Sequence, residues 1–271
     1  MKANPMTICL STICDRGKTV IVASDKMLTH EYLSIEFDHE TPKIEQLGKS
    51  CVALTAGDAI VPNELFRLAK QEIRESDSIH TIAEKVKTKY ALLRLKRAEE
   101  LHVKTRGFKD ASDFYKQAND LPPQIVVPID DNVQSHKLGL EVMIAGVDDA
   151  GAHIWDISNP GIAQCMDSIG FHSMGSGEPH SEYCFIGNGF NRNILFKQAL
   201  FLSYEAKRRA ESAPGVGQST DILVITPNQI ITITKDIIQE LEKAYQIKRG
   251  IEEEKKKQID SILLSIKVDG L

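Results

Sequence analysis

The sequence predicts an α+β protein in which two antiparallel β-sheets stack on one another and carry helices on their outer faces, a four-layer α-β-β-α sandwich. Three observations point there. Short β-type runs occupy residues 7–55 and 140–157 and return at 221–234. Helical spacing fills the intervals 62–93 and 179–211. Turn signals such as Asp15-Arg16-Gly17, Thr41-Pro42 and Leu47-Gly48-Lys49 bound the strand runs. At 271 residues and 42% hydrophobic content, the chain can bury one substantial core, so a single domain is expected.

Taken in order, the runs 7–14, 18–25, 43–47 and 51–55 read as an antiparallel meander. From Pro62 the spacing turns helical, with Leu65, Leu68, Ala69 and Ile73 on one face. A second helix follows, its apolar face formed by Ile79, Ile82, Ala83, Val86, Tyr90 and Leu93, and both are expected on one side of a sheet. Residues 103–139, with Gly107, Pro122-Pro123 and Pro128, read as a polar insertion holding a short proline-bounded apolar run. The runs 140–146 and 152–157 flank Val147-Asp148-Asp149-Ala150-Gly151 and predict a hairpin. A helical region over 179–211, broken near Gly187-Asn188-Gly189, precedes two more strands at 221–226 and 229–234. Residues 235–271 form a charged helical extension, in which 251–257 is a solvated stretch and Ile259, Ile262, Leu263 and Ile266 make an apolar stripe for docking or a partner.

A net charge of -5 argues against a dedicated nucleic-acid binder, and the densest basic run, Arg94-Leu95-Lys96-Arg97, sits beside Glu99-Glu100 as a solvated helix face would. Cys9, Cys14, Cys51, Cys165 and Cys184 form no CxxC pair, which fits reduced thiols in a cytosolic protein better than a disulfide framework or a zinc site. His153 and His180 read as surface or satisfied histidines, and no metal or cofactor is implied. Residues 1–6 lack an apolar signal region and no uncharged stretch is long enough for a bilayer, so a cytoplasmic protein is expected.

The chemistry concentrates near the start. Strands over 7–14 and 20–25, followed by Pro42-Lys43-Ile44, could bring Thr7, Asp25 and Lys43 together. Threonine is a weak nucleophile in mid-chain, but at an N-terminus its own α-amine can take the hydroxyl proton.

The ordered series Met6-Thr7-Ile8, Val22-Ala23-Ser24-Asp25, Lys43-Ile44, Thr55-Ala56-Gly57-Asp58-Ala59, Ile144-Ala145-Gly146-Val147-Asp148, Gly175-Ser176-Gly177 and Thr220-Asp221-Ile222-Leu223-Val224-Ile225-Thr226 resembles the proteasome β-subunit family and its bacterial proteasome-like relatives. These are N-terminal nucleophile hydrolases, and the resemblance runs over residues 7–234. It implies that Thr7 attacks a peptide carbonyl, with an α-amine of pKa about 7.7–8.0 suited to proton transfer. It further implies that Lys43 lowers the cost of alkoxide formation and that Asp25 holds that ammonium. Gly57 would offer its N–H to the oxyanion, and Ser176 would hydrogen-bond around the terminal amine. Two departures stand out. Where the family carries Asp followed by Ser-Gly-Gly, this chain has residues 211–219, with Glu211 and Ser219 as substitutes. Met6 replaces the glycine that precedes the threonine in self-processing subunits. Residues 1–6 are then a propeptide or an upstream start, and removal of an initiator Met6 would free Thr7.

Strand alternation puts Glu45 on the side of Lys43 and Thr55 on the side of Gly57. With Leu28 and Ala59, these residues would line a mixed apolar and acidic substrate pocket that disfavours cleavage after Asp or Glu. The alternative is that Glu45 only pairs with Lys43. The function expected is a threonine peptidase in a ring-like homo-oligomer, acting on peptides or unfolded protein with an ATPase partner. A silent structural subunit with a blocked threonine, or a small-molecule amidase of the same fold, remain open.

Overall fold

Residues 9–14 and 19–25 are buried at every position, on both faces of each strand. Only a strand covered from two sides can carry Cys9, Ile13, Val20 and Val22 alternating with Leu10, Ile21 and Ala23 in this way. The computed structural model describes residues 7–30, 35–38 and 43–266. In chain order the strands are β1 (Cys9–Cys14), β2 (Thr19–Asp25), β3 (Met27–His30), β4 (Ile35–Asp38), β5 (Ile44–Gly48) and β6 (Cys51–Gly57), then β7 (Leu140–Asp148), β8 (Gly151–Ser158), β9 (Ile162–Cys165), β10 (Phe171–Met174), β11 (Thr220–Ile225) and β12 (Ile230–Thr232).

Two five-stranded sheets result, ordered β10-β1-β2-β11-β12 and β5-β6-β7-β8-β9, with β3 and β4 a separate hairpin. Every strand pair described is antiparallel. Cys9, Ile13, Val20 and Val22 from one sheet share an apolar cluster with Val52, Leu54, Met143, Ala145 and Ile154 from the other, which is the seam between the sheets. The single meander expected over residues 7–55 is therefore split. β1 and β2 belong to one sheet, and β5 and β6 join the β7–β8 hairpin in the other. Local alternation specifies which face of a strand is apolar, not which strand it pairs with.

Helices cover the outer faces. Helices α1 (Val61–Lys70) and α2 (Ile79–Ala98) bury Leu65, Ala69, Ile82, Val86, Tyr90 and Leu93 against Ala53, Val142 and Ile144. The α2 N-terminus is closed by the Ser78 hydroxyl, which accepts the Thr81 N–H at 3.2 Å.

Residues 103–139, expected as a polar insertion, are largely helical. A π-helical turn (Glu99–Val103) leads to α3 (Ala111–Gln117) and α4 (Pro123–Ser135). Ala98, Val103, Phe114, Ile129 and Val133 close a small core of their own. Pro123 opens α4 where no N–H donor is needed.

On the other sheet, α5 (Glu178–Gly187) packs on β10, and α6 (Phe196–Ala210) packs on β1 and β2. The Ser203 hydroxyl of α6 donates to Thr12 Oγ1 at 3.1 Å. The chain divides at residues 231 and 232, and the second unit is dominated by α7 (Lys235–Ser265), a charged helix that exposes Ile247, Ile251, Ile259, Ile262 and Leu263. Among the described residues no helix is long and apolar enough to cross a membrane. All five cysteines are free, and only Cys165 is exposed.

The buried Tyr90 hydroxyl donates to the Leu140 carbonyl at 2.7 Å, tying α2 to β7. Tyr90→Phe leaves that acceptor buried without its donor and should lower unfolding free energy by about 1–2 kcal/mol. Urea denaturation with an unchanged slope is the check.

Candidate active site

Asp25 closes β2, and the β1–β2 register sets Cys9 opposite Ser24, so the chain just before β1 lies alongside Asp25. The Asp25 N–H donates to the Ile8 carbonyl at 3.1 Å, and the Ile8 N–H returns to Asp25 Oδ1 at 3.0 Å. This local pairing fixes Thr7, which is 4% exposed, beside a carboxylate that is 1% exposed. Thr7 Oγ1 donates to Asp25 Oδ1 at 2.5 Å. Lys43 reaches the same point from just before β5. Its Nζ donates to Asp25 Oδ1 at 2.7 Å and also to Thr7 Oγ1. Hydroxyl, carboxylate and ammonium thus form a closed triangle. The Lys43 backbone is held in turn by β6, whose Thr55 N–H donates to the Lys43 carbonyl at 3.1 Å.

Ser176 stands on the other side of Thr7. The Thr7 N–H donates to Ser176 Oγ at 3.3 Å, and that hydroxyl lies 2.9 Å from the Pro214 carbonyl oxygen, its acceptor. Preceding it, Gly175 has φ +98°, and a Cβ there would lie 2.4 Å from the Thr7 carbonyl oxygen. Only glycine allows this approach. Gly57 ends β6 exposed at φ +106°, where a Cβ would lie 2.1 Å from the Gly139 carbonyl oxygen. Directly after it, the Asp58 carboxylate accepts the N–H groups of Ile60 at 2.7 Å and Val61 at 2.9 Å, pinning the turn that starts α1.

The residues expected to line a pocket are placed less uniformly. Thr55 is half-buried on β6, and Ala59 is exposed in the turn after Gly57. Glu45 pairs not with Lys43 but with Lys70 of α1, both side chains being more than 40% exposed. Leu28 belongs to β3, and its side chain lies outside the described residues. Of the two substitutes expected in the 211–219 segment, Glu211 is taken by Lys207 at 2.5 Å and Arg208 at 2.7 Å, and Ser219 is half-buried just before β11. From the same segment, the Gly217 N–H donates to Asp25 Oδ2 at 3.0 Å. Sequence reasoning missed it because a backbone donor leaves no residue signature beyond the glycine itself.

Cys9 is the other oxygen-group analogue close by. Burial pushes its thiol up to about 12, and its Sγ donates to the Thr55 carbonyl at 3.4 Å, so it stays protonated. Among the described residues no group of three or more His, Cys, Asp or Glu side chains could hold a metal ion.

A second charged group sits near Gly175. Glu141 of β7 accepts a hydrogen bond from the Gly175 backbone, and burial followed by Asp156 raises its pKa. His172 of β10 stands 3.5 Å from Asp156 and 3.6 Å from Glu182. Burial alone would lower its pKa, but these two carboxylates outweigh burial and hold the imidazolium up to about 9. Burial and Glu182 raise the neighbouring Glu178. The sequence contains this group only as scattered residues on β7, β8, β10 and α5.

Chemically, the triangle can lower the cost of an alkoxide on Thr7, because the cation touches the oxygen that would carry the charge. Compared with protein-family models and with curated proteins, the chain matches none.

Since His172 binds its proton more tightly folded than at the ordinary histidine value near 6.5, its contribution to stability is complete below about 6.5 and fades as pH rises through about 9. His172→Gln should therefore destabilise more at about pH 6 than at about pH 9.5. Paired urea titrations reporting the same loss at both pH values would contradict this.

Proposed function

We propose that the protein is a threonine-type hydrolase of the N-terminal nucleophile class that cleaves peptide bonds through an acyl-ester on Thr7. The observation carrying this reading is the contact of Thr7 Oγ1 with both Asp25 and Lys43, the latter pair itself 2.7 Å apart. Two antiparallel sheets with helices on their outer faces are compatible with the corresponding fold.

In this mechanism the working chain begins at Thr7. Its freed amine, on the nitrogen already 3.3 Å from Ser176 Oγ, takes the hydroxyl proton as Oγ1 attacks the carbonyl carbon. Lys43 stabilises the negative oxygen, while Asp25 fixes the ammonium and offsets its charge. The Gly57 N–H supports the oxyanion of the tetrahedral intermediate. Collapse breaks the C–N bond, and the α-ammonium returns the proton to the departing amine. Water, deprotonated by the same amine, then hydrolyses the ester and restores Thr7.

Thr55 and Ala59 flank the Gly57 approach and would contact the substrate. Glu45 shares its charge with Lys70, so the repulsion of acidic substrate side chains expected from Glu45 alone should be weak. A cytoplasmic, ring-like homo-oligomer acting on peptides or unfolded protein with an ATPase partner belongs to the same reading. It keeps a nonspecific peptidase away from folded proteins. A light-scattering mass equal to one subunit throughout the micromolar range would refute the ring.

Thr7→Ala should lower peptide hydrolysis by about 10³-fold or more with unchanged thermal unfolding, and Lys43→Ala should be comparably damaging. Turnover of a fluorogenic peptide by purified Thr7→Ala at the wild-type rate would sink the assignment. Intact mass of active protein should begin at Thr7; full activity from a chain that retains residues 1–6 would sink the amine's role as base.

A further inference from the structure

Lys207 lies in the last turn of α6 with a fully buried side chain. Its Nζ donates to Glu211 Oε1 at 2.5 Å, to the Gly217 carbonyl at 2.8 Å and to the Gln218 carbonyl at 2.7 Å. An ammonium has three donors, and all are used. Burial lowers its pKa while Glu211 and Asp25 oppose that shift, so the charge is sustained by the groups it holds. A helix C-terminus needs no buried lysine to end it, and two of the three bonds leave α6 for a loop.

That loop serves the site twice. Gly217, whose carbonyl Lys207 binds, sends its N–H to Asp25 Oδ2, and Pro214 offers its carbonyl to the Ser176 hydroxyl. There is no slack between them and the strand: a Cβ on Gly217 would come within 2.8 Å of Met27 Cβ, and the Met27 N–H occupies the same Asp25 oxygen at 3.1 Å. We infer that Lys207 is a positioning residue which, with Glu211, clamps residues 213–218 onto Asp25 and Ser176 and so holds both flanks of Thr7. This rests on the reading of Thr7 as nucleophile.

The test measures hydrogen exchange at the Gly217 amide together with steady-state peptide hydrolysis, in full-length Lys207→Met and in the milder Glu211→Gln. In Lys207→Met, Gly217 exchange should quicken by about tenfold or more while the central Ile21 amide of β2 keeps its protection, and kcat should fall about 10–100-fold with KM within about threefold. Should Lys207→Met fail to fold, Glu211→Gln carries the test, with smaller shifts of the same sign. Gly217 exchange and kcat both within about twofold of wild type in a folded variant would overturn the proposal. So would equal acceleration at Gly217 and Ile21, which marks general destabilisation. Thr7→Ala separates this from the parent reading. If it hydrolyses as wild type does, the threonine chemistry falls, and Gly217 exchange alone still decides whether Lys207 clamps the loop.

Discussion

One buried carboxylate organises the molecule. Asp25 is almost wholly removed from water, and an ionised carboxylate in such a place is tolerable only when its lone pairs are met. Among the described residues five groups meet them: the N–H groups of Ile8, Met27 and Gly217, the Thr7 hydroxyl and the Lys43 ammonium. They come from four separate places in the chain. Thr7 and Ile8 precede β1, Met27 opens β3, Lys43 precedes β5 and Gly217 lies in the loop before β11, so these stretches converge on the one side chain that ends β2. Losing one donor leaves the others to solvate the charge, so the arrangement can lose a single contact without losing the fold. The same requirement keeps Thr7 and Lys43 within contact of one another.

Layering supplies the dryness that makes these contacts strong. With an apolar seam on one side of β1 and α6 on the other, water is excluded from the strands that carry Asp25. In a low-dielectric setting a charge-assisted hydrogen bond gains strength, and an unpaired polar atom becomes expensive. The His172 group illustrates the opposite balance nearby. There burial, followed by Asp156 at Glu141 and Glu182 at Glu178, makes both carboxyls hold their protons more tightly.

Much of this was legible in the chain. Strongly apolar runs specified β1, β2, β7 and β8, and 3.6-residue spacing specified α1 and α2, because burial of a face leaves a period in the sequence. Thr7 and Asp25 could be brought together on paper because a hairpin fixes its own register, and Lys43 followed from the turn before β5. Long-range partners were not legible. The pairing of β10 with β1, the division of the first four runs between two sheets and the turning of Glu45 toward Lys70 depend on which elements meet, which no local pattern encodes. Phe114 and Ile129 close a core across fifteen residues, beyond the reach of any helical or strand period. Gly217 acts through its backbone and Lys207 through carbonyls, so neither shows a side-chain motif.

The unequal exposure of two ion pairs has a consequence for how this protein should respond to its solution. The Lys43–Asp25 pair has side chains 8% and 0% exposed, whereas Lys70–Glu45 stands at 43% and 42%. Mobile ions cannot enter the first but readily surround the second, where the Debye length at physiological ionic strength is about 8 Å. Added electrolyte should therefore leave the Lys43–Asp25 contact at Thr7 intact while weakening the one between Glu45 and Lys70. Two ion pairs that share one strand, β5, and the residue just before it thus differ in their response to ionic strength.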